Sequence, residues 1–321
     1  MIYILLILFL TIYVLKFKKH EYFWPIIKCG EWFKLNQDKY NSKISYNIIT
    51  RLDCKINLYG IIKNEYYCPK SILEIDKDNG HYSPKSVWFI KERSSGGGGS
   101  VYPTQYKNIK TKIKTLMKQN TRPISKYHIP AYSKKNKYII QKEISPWLIN
   151  GKKCDLRIFY VIVFTKNNVK FYLSNDGYIK INSLKYVKNS TDKSIQITNN
   201  MVQKNAHNNI LISENNYYNK MMSKLILLFT NLSKKIKVLF KNLHSKYQIE
   251  YQVCGADVIF DNLLNPYLLE LNSGWPAYTQ NNNSKNIKNL KKNTKTEISE
   301  MVYNSINNIP IKNKYLVPLK I

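Results

Sequence analysis

The chain has 321 residues, 44% of them hydrophobic and 13% aromatic, which is enough for a sizeable core and excludes a disordered tail. Its 51 Lys and Arg against 20 Asp and Glu leave a formal charge of +31, suited to an acidic protein, an anionic membrane or nucleic acid. Only four arginines occur (Arg51, Arg93, Arg122, Arg157), and the abundance of Lys, Asn, Ile and Tyr fits an A/T-rich coding sequence as well as a selected basic surface.

No nucleic-acid motif accompanies the charge, so no specific nucleic-acid partner is expected. The five cysteines (Cys29, Cys54, Cys68, Cys154, Cys254) show neither CxxC nor metal-ligand spacing, which points to a reducing compartment. Cys154 and Cys254 sit in apolar stretches and read as buried, inert thiols.

In chain order, MIYILLILFLTIYVL is apolar and is followed by Lys16, Lys18 and Lys19. As a helix it would extend roughly 22 Å against a bilayer core of ~30 Å. It lacks the basic n-region and small-residue cleavage site of a signal peptide. Residues 1–19 are therefore expected to form an uncleaved hydrophobic anchor helix, with a buried N-terminal helix as the alternative. The lysines after it would keep the rest of the chain cytoplasmic.

Residues 21–80 read as irregular, with short apolar runs such as INLYGII. SVWFIK (86–91) reads as a strand, the run SSGGGGS containing Gly96, Gly97, Gly98 and Gly99 as a turn, and SVYP as a return strand. A Gly/Ser run usually reads as a flexible tether; here it lies between two strands that close on each other. KYIIQKEI (137–144) and CDLRIFYVIVF (154–164) are β-rich, and VKFYLSNDGYIKI (169–181) reads as a hairpin around Asn175, Asp176 and Gly177. Residues 217–246 carry Leu225, Leu228, Leu232, Ile236 and Leu239 at helical spacing. YQVCGADVIF and PYLLELN form a last hairpin, and a helix is expected over 295–307. Hairpins with separate helices make the expected class α+β.

Strand parity gives the sharpest chemical signal. Lys153, Asp155 and Arg157 alternate with Cys154, Leu156 and Ile158, so one face is charged and the other apolar. Closing the last hairpin symmetrically about Leu263 and Leu264 sets Asp257 opposite Glu270. Like charges facing each other across strands are destabilising, and a cation between them removes the conflict. Asn272 shares the face of Glu270 and completes an oxygen set of the kind Mg²⁺ takes together with nucleotide phosphates. A glycine loop whose bare backbone can approach phosphate and a lysine just before it, Lys91, complete a nucleotide site without a Walker motif.

These residues resemble the tubulin-tyrosine ligase-like family, whose catalytic domain is an ATP-grasp fold. VWFIKERSSGGGGSVY is similar to the family's strand, lysine and glycine-rich loop. IIQKEISPWLINGKKCDLRIFYVIV is similar to its Gln-Lys hinge, Pro-Leu-Leu stretch and Lys-x-Asp-x-Arg strand. ITNN resembles its Leu-Thr-Asn segment, and CGADVIFDNLLNPYLLELN its Gly-x-Asp strand followed by Leu-Glu-x-Asn. The resemblance covers roughly 50–310 and divides the chain into an anchor (1–19), an N-terminal region of the ligase domain (20–80), the ATP-grasp core (81–312) and a C-terminal tail (313–321).

The resemblance implies an enzyme that adds a free amino acid (tyrosine, glutamate or glycine) to a carboxylate of an acidic protein tail, tubulin or tubulin-like; with the N-terminal segment read as above, it is expected to be a membrane-anchored monomer with its catalytic domain in the cytoplasm. ATP and Mg²⁺ would be the cofactors and an acyl phosphate the intermediate. Lys91, Lys153 and Gly96 to Gly99 would contact ATP phosphates. Gln141, Lys142 and Ile144 would hold the adenine, and Asp155, Thr198 and Asn199 would complete the nucleotide site. Asp257, Glu270 and Asn272 would bind Mg²⁺, while Arg157 and Lys180 would stabilise the reacting groups. Three positions depart from the family. Leu52 takes the place of a lysine that Lys55 is near enough to replace, Lys180 stands for an arginine and loses its bidentate fork, and Gln196 stands for a histidine. The alternative these departures leave open is a catalytically weak, membrane-tethered module that binds acidic tails or microtubules.

Overall fold

The computed structural model describes residues 52–93, 100–119, 137–165, 168–199, 202–203, 209–241, 249–272, 284–306 and 313–321. The expected anchor over 1–19 and the glycine run Gly96 to Gly99 lie outside the described residues. None of the described helices is long and apolar enough to cross a membrane.

In chain order the elements are α1 (Lys55–Ile62), β1 (Ser71–Ile72), β2 (Val87–Glu92), β3 (Val101–Gln105), α2 (Ile109–Gln119), β4 (Tyr138–Lys142), β5 (Leu148–Ile149), β6 (Lys152–Thr165), β7 (Asn168–Ile181), the short α3 (Lys193–Gln196), β8 (Ile210–Leu211), α4 (Tyr218–Lys237), β9 (Ile249–Phe260), β10 (Pro266–Asn272), α5 (Lys285–Ile306) and β11 (Leu316–Pro318). The strands form two antiparallel sheets. The smaller runs β1-β4-β2-β3, and the larger runs β10-β9-β6-β7-β11 with β5 on β6 and β8 on β7. Antiparallel sheet with segregated helices makes this an α+β protein.

Alternation in SVWFIK builds the small sheet. Trp88 and Ile90 face Ile109 and Leu116 of α2, with Ile72, Tyr138 and Ile140 beside them, so Phe89 and Lys91 face the other way. In the large sheet, Cys154, Leu156, Ile158, Tyr160 and Ile162 pack beneath Leu225, Leu228, Leu232 and Ile236, the stripe expected for α4. On the opposite face of β6, Val161 and Val163 are covered by Ile298 and Met301 of α5, and Phe159 by Ile287 and Leu290. The same face of β6 thus carries the charged triplet at one end and a helix-covered core at the other.

Four sequence expectations need correction. INLYGII, expected to be irregular, is part of α1. Its Leu58 and Ile62 pack toward α4 while Ile56 packs against Ile139 of β4, so α1 wedges between the two sheets. The expected hairpin around Asn175, Asp176 and Gly177 is instead the middle of the continuous strand β7. Ile158 faces Gly177 but Tyr160 faces Leu173, leaving Ser174 to Asp176 opposite Phe159 as a bulge. Ser174 Oγ accepts from Phe159 N (3.1 Å), and the Asp176 carboxylate accepts from Gly177 N (2.8 Å) and Ser213 Oγ (2.6 Å), so the polar residues serve the bulge. Helix α5 begins ten residues before its expected start, because Ile287 and Leu290 pack on Phe159 and Tyr178 despite the Lys/Asn-rich composition around them.

The last correction concerns the β9–β10 hairpin, whose turn is not symmetric about Leu263 and Leu264. Asp261 Oδ1 accepts from Leu263 N (2.9 Å) and Asn265 N (2.7 Å), and Leu264 adopts a left-handed φ of 61°. Leu268 therefore faces Val258, one residue off the symmetric register, and a bulge at Leu269 shifts the pairing so that Glu270 does face Asp257. In an unbulged strand Glu270 would follow Leu268 into the core.

Candidate functional site

A cleft opens between the sheets, with an empty volume of about 810 Å³ that includes its solvent-open mouth. The small sheet contributes Phe89, Lys91 and Gln141, with Lys142 and Ile144 at its edge. The large sheet contributes Lys153, Asp155, Lys180, Asp257, Ile259, Leu269 and Glu270, and Gln196 to Asn199 close one side. Arg157 and Asn272 reach the same centre through Asp257. The strand parity read from KKCDLRIF is what places Lys153, Asp155 and Arg157 together, while Leu156 and Ile158 are wholly buried on the other face.

Opposite charges interlock at the floor. Arg157 grips Asp257 with both edges of its fork, Nε to Oδ1 at 2.6 Å and Nη2 to Oδ2 at 2.8 Å. Lys180 bridges Asp155 (2.8 Å) and Asp257 (3.0 Å), and Asp155 also accepts from the Thr198 hydroxyl (2.5 Å). Gly255 makes room for the guanidinium, since a Cβ there would lie 2.7 Å from Arg157 Nη1. Lys55, from α1, sits 3.1 Å from Glu270 Oε2, and Asn272 Nδ2 donates to Glu270 Oε1 at 3.0 Å. Higher in the cleft, Lys91 Nζ donates to Gln141 Oε1 (2.5 Å), and Lys153 Nζ donates to Gln196 Oε1 (2.6 Å) and lies 3.3 Å from Glu143.

Burial and pairing set the protonation of these groups. Burial pushes the Lys91 ammonium down to about 8 and lowers Lys153 in spite of Glu143. Burial acts in the same sense on Lys180, but Asp155 and Asp257 outweigh it and hold that ammonium above its ordinary value. Burial alone would raise Glu270; Lys55 and the Asn272 amide hold it well below the usual carboxylate range. Across the ladder, burial and the Glu270 charge push the Asp257 carboxyl up despite Arg157 and Lys180. Five cations (Lys55, Lys91, Lys153, Arg157, Lys180) meet four carboxylates (Glu143, Asp155, Asp257, Glu270), an excess that suits an anionic ligand.

Two carboxylates and an amide on one face are a fitting oxygen set for a hard cation such as Mg²⁺, with further ligands to come from phosphate oxygens or water. Among the described residues no group of three His, Cys, Asp or Glu side chains is arranged to hold a metal on its own. The conflict between Asp257 and Glu270 is met here by Lys55, Arg157 and Lys180.

The departures also find their places. Leu52 is wholly buried in the core, and Lys55, three residues on at the start of α1, supplies an ammonium to the site. Gln196 supplies the acceptor for Lys153 and anchors its own amide on Ser190 O (2.8 Å). The apolar walls Phe89, Ile259 and Leu269 escaped sequence reading. Parity was the available signal for two of them, since Phe89 lies two residues before Lys91 and Ile259 two after Asp257.

A probable alpha-tubulin polyglutamylase of Tetrahymena thermophila is 24% identical over 244 residues, covering 70% of this chain and 54% of that protein. Tubulin glycylase 3B of Drosophila melanogaster is 27% identical over 157 residues, covering 43% and 21%. A probable tubulin polyglutamylase of Caenorhabditis elegans is 21% identical over 246 residues, covering 70% and 54%. The chain spans about half the length, or less, of these relatives. Residues 27–302, which include every strand but β11 and every described group in the cleft, match the Tubulin-tyrosine ligase family, and the chain belongs to that family.

Proposed function

We propose that the protein is an ATP- and Mg²⁺-dependent ligase of ATP-grasp type that adds an amino acid to a carboxylate on a protein, with a tubulin tail as the acceptor. The observation that carries this reading is the pairing of Asp257 with Glu270 on the cleft floor, under lysines from both sheets. Mg²⁺, when bound, would neutralise phosphate charge, with Asp257, Glu270 and Asn272 holding it. Lys91 and Lys153 face each other from opposite walls and would bind phosphate oxygens between them. Phe89, Ile144 and Ile259 supply apolar surface for a base, and Asp155 with Thr198 and Asn199 supplies polar contacts beside it. Arg157, anchored on Asp257, would turn its outer edge to a reacting carboxylate, and Lys180 would stabilise charge that builds during transfer. Such chemistry needs fixed charges and positioning more than a protein nucleophile, and buried lysines on β-strands provide that.

The relatives named polyglutamylase and glycylase favour glutamate or glycine as the added amino acid, and the +31 charge suits an acidic tail. The test is incubation of the full chain with tubulin, ATP, Mg²⁺ and each labelled amino acid, followed by mass spectrometry of the tails. Mass added to a tail carboxylate supports the reading. Salt-sensitive, nucleotide-independent tail binding without incorporation would replace it with the binding module.

A further inference from the structure

Among the described residues, Lys55 is the cation from outside both sheets that pairs with a carboxylate of the floor. It projects from α1, its side chain is 7% exposed, and its ammonium lies 3.1 Å from Glu270 Oε2, the oxygen not engaged by Asn272. Helix α1 is fixed by Ile56 on one side and by Leu58 and Ile62 on the other, so the ammonium is delivered by a rigid element. Lys91 borders the same small cavity between α1 and the sheets as Lys55 does. The ammonium thus pairs with a carboxylate that would hold a cation and shares a cavity with a lysine that would hold phosphate.

We propose that Lys55 is a positioning residue that orients Glu270 and tunes the site in opposite senses toward its two ligands, weakening its grip on a divalent cation and strengthening it on the nucleotide. The physical basis is the sign of the charge. A fixed positive charge beside Glu270 offsets the attraction of that carboxylate for a divalent cation and adds to the attraction for phosphate. A lysine present only to pack α1 would do neither, and its loss would weaken both ligands together. The proposal rests on the metal and nucleotide reading given above.

The test uses the full chain and its Lys55→Met and Lys55→Arg variants, with Glu270→Gln as control. Mn²⁺ binding is read by electron paramagnetic resonance, and binding of a non-hydrolysable ATP analogue by calorimetry. Lys55→Met is expected to bind Mn²⁺ roughly three- to tenfold more tightly and the analogue roughly tenfold more weakly, with Lys55→Arg close to wild type on both. Both affinities unchanged in Lys55→Met, or both weakened, would overturn the proposal. Mn²⁺ binding that survives Glu270→Gln undiminished would instead overturn the underlying metal assignment, so the two failures are distinguishable.

Discussion

Lys91 should make nucleotide affinity depend on pH in a way that a single substitution removes. The residue is 8% exposed, its ammonium donates to Gln141, and burial pushes its pKa down to about 8, so it titrates close to physiological pH. Bound phosphate would favour the charged form, and binding is then expected to draw on the protonated fraction alone. With a pKa of about 8, that fraction is roughly nine-tenths at pH 7 and roughly one-tenth at pH 9, so affinity should fall nearly tenfold, about 1.3 kcal/mol. At a pH near 8, binding should take up about half a proton. The sign for the free protein is opposite. A lysine whose folded pKa lies below its unfolded value penalises folding in full below about pH 8, and the penalty fades as pH rises toward the unfolded value of 10.5. Calorimetry of a non-hydrolysable ATP analogue with Mg²⁺ at the three pH values, in buffers of different ionisation enthalpy, measures both affinity and proton uptake. Lys91→Arg keeps the charge at every pH and should flatten the dependence to the residual slope contributed by Lys153. A wild-type affinity independent of pH, or an undiminished slope in Lys91→Arg, would refute the assignment of Lys91 to phosphate.

Three further outcomes are expected. Glu270→Gln should abolish amino-acid incorporation while circular dichroism shows the fold retained, and undiminished incorporation would remove Glu270 from the metal site. Gly177→Ala should lower stability to urea by roughly 2–4 kcal/mol, because its Cβ would stand 2.5 Å from the backbone oxygen of Arg157 and 3.0 Å from Ile212. Glu297 accepts backbone N–H groups from Lys314 (2.8 Å), Tyr315 and Leu316 (3.1 Å), so Glu297→Gln should speed amide exchange at those residues by about tenfold and leave β9 unchanged.

Much of the site was legible because it rides on strands whose alternation is unbroken. In SVWFIK and KKCDLRIF the side-chain period alone separates cleft from core, and the structure keeps both separations. What escaped was decided by contacts distant in sequence. The Asn-Asp-Gly stretch carries every local mark of a turn, yet Phe159 and Ser213 draw it into a bulge. The facing of Asp257 and Glu270 was expected from a symmetric turn, and it arises from two departures that cancel, a turn one residue off centre and a bulge at Leu269. The helical state of INLYGII depends on α4 and β4 being there to receive its apolar residues, and nothing in its own seven residues announces either.

The bulge at Leu269 also separates the paired carboxylates from the exposed end of their hairpin. Register at the two carboxylates is fixed between the bulge and the far end of the hairpin, whereas the tip at Asn262 and Leu263 is exposed, closed by Asp261 and Asn265 and steadied by Ser145 O, which accepts from Asn262 N (3.1 Å), and by Lys224, which donates to Asn265 (3.0 Å). Residues added at that tip lengthen the loop without re-phasing the strands. The hairpin end is therefore a tolerant port for a fluorophore or an affinity tag, from which the floor of the cleft can be watched without being disturbed.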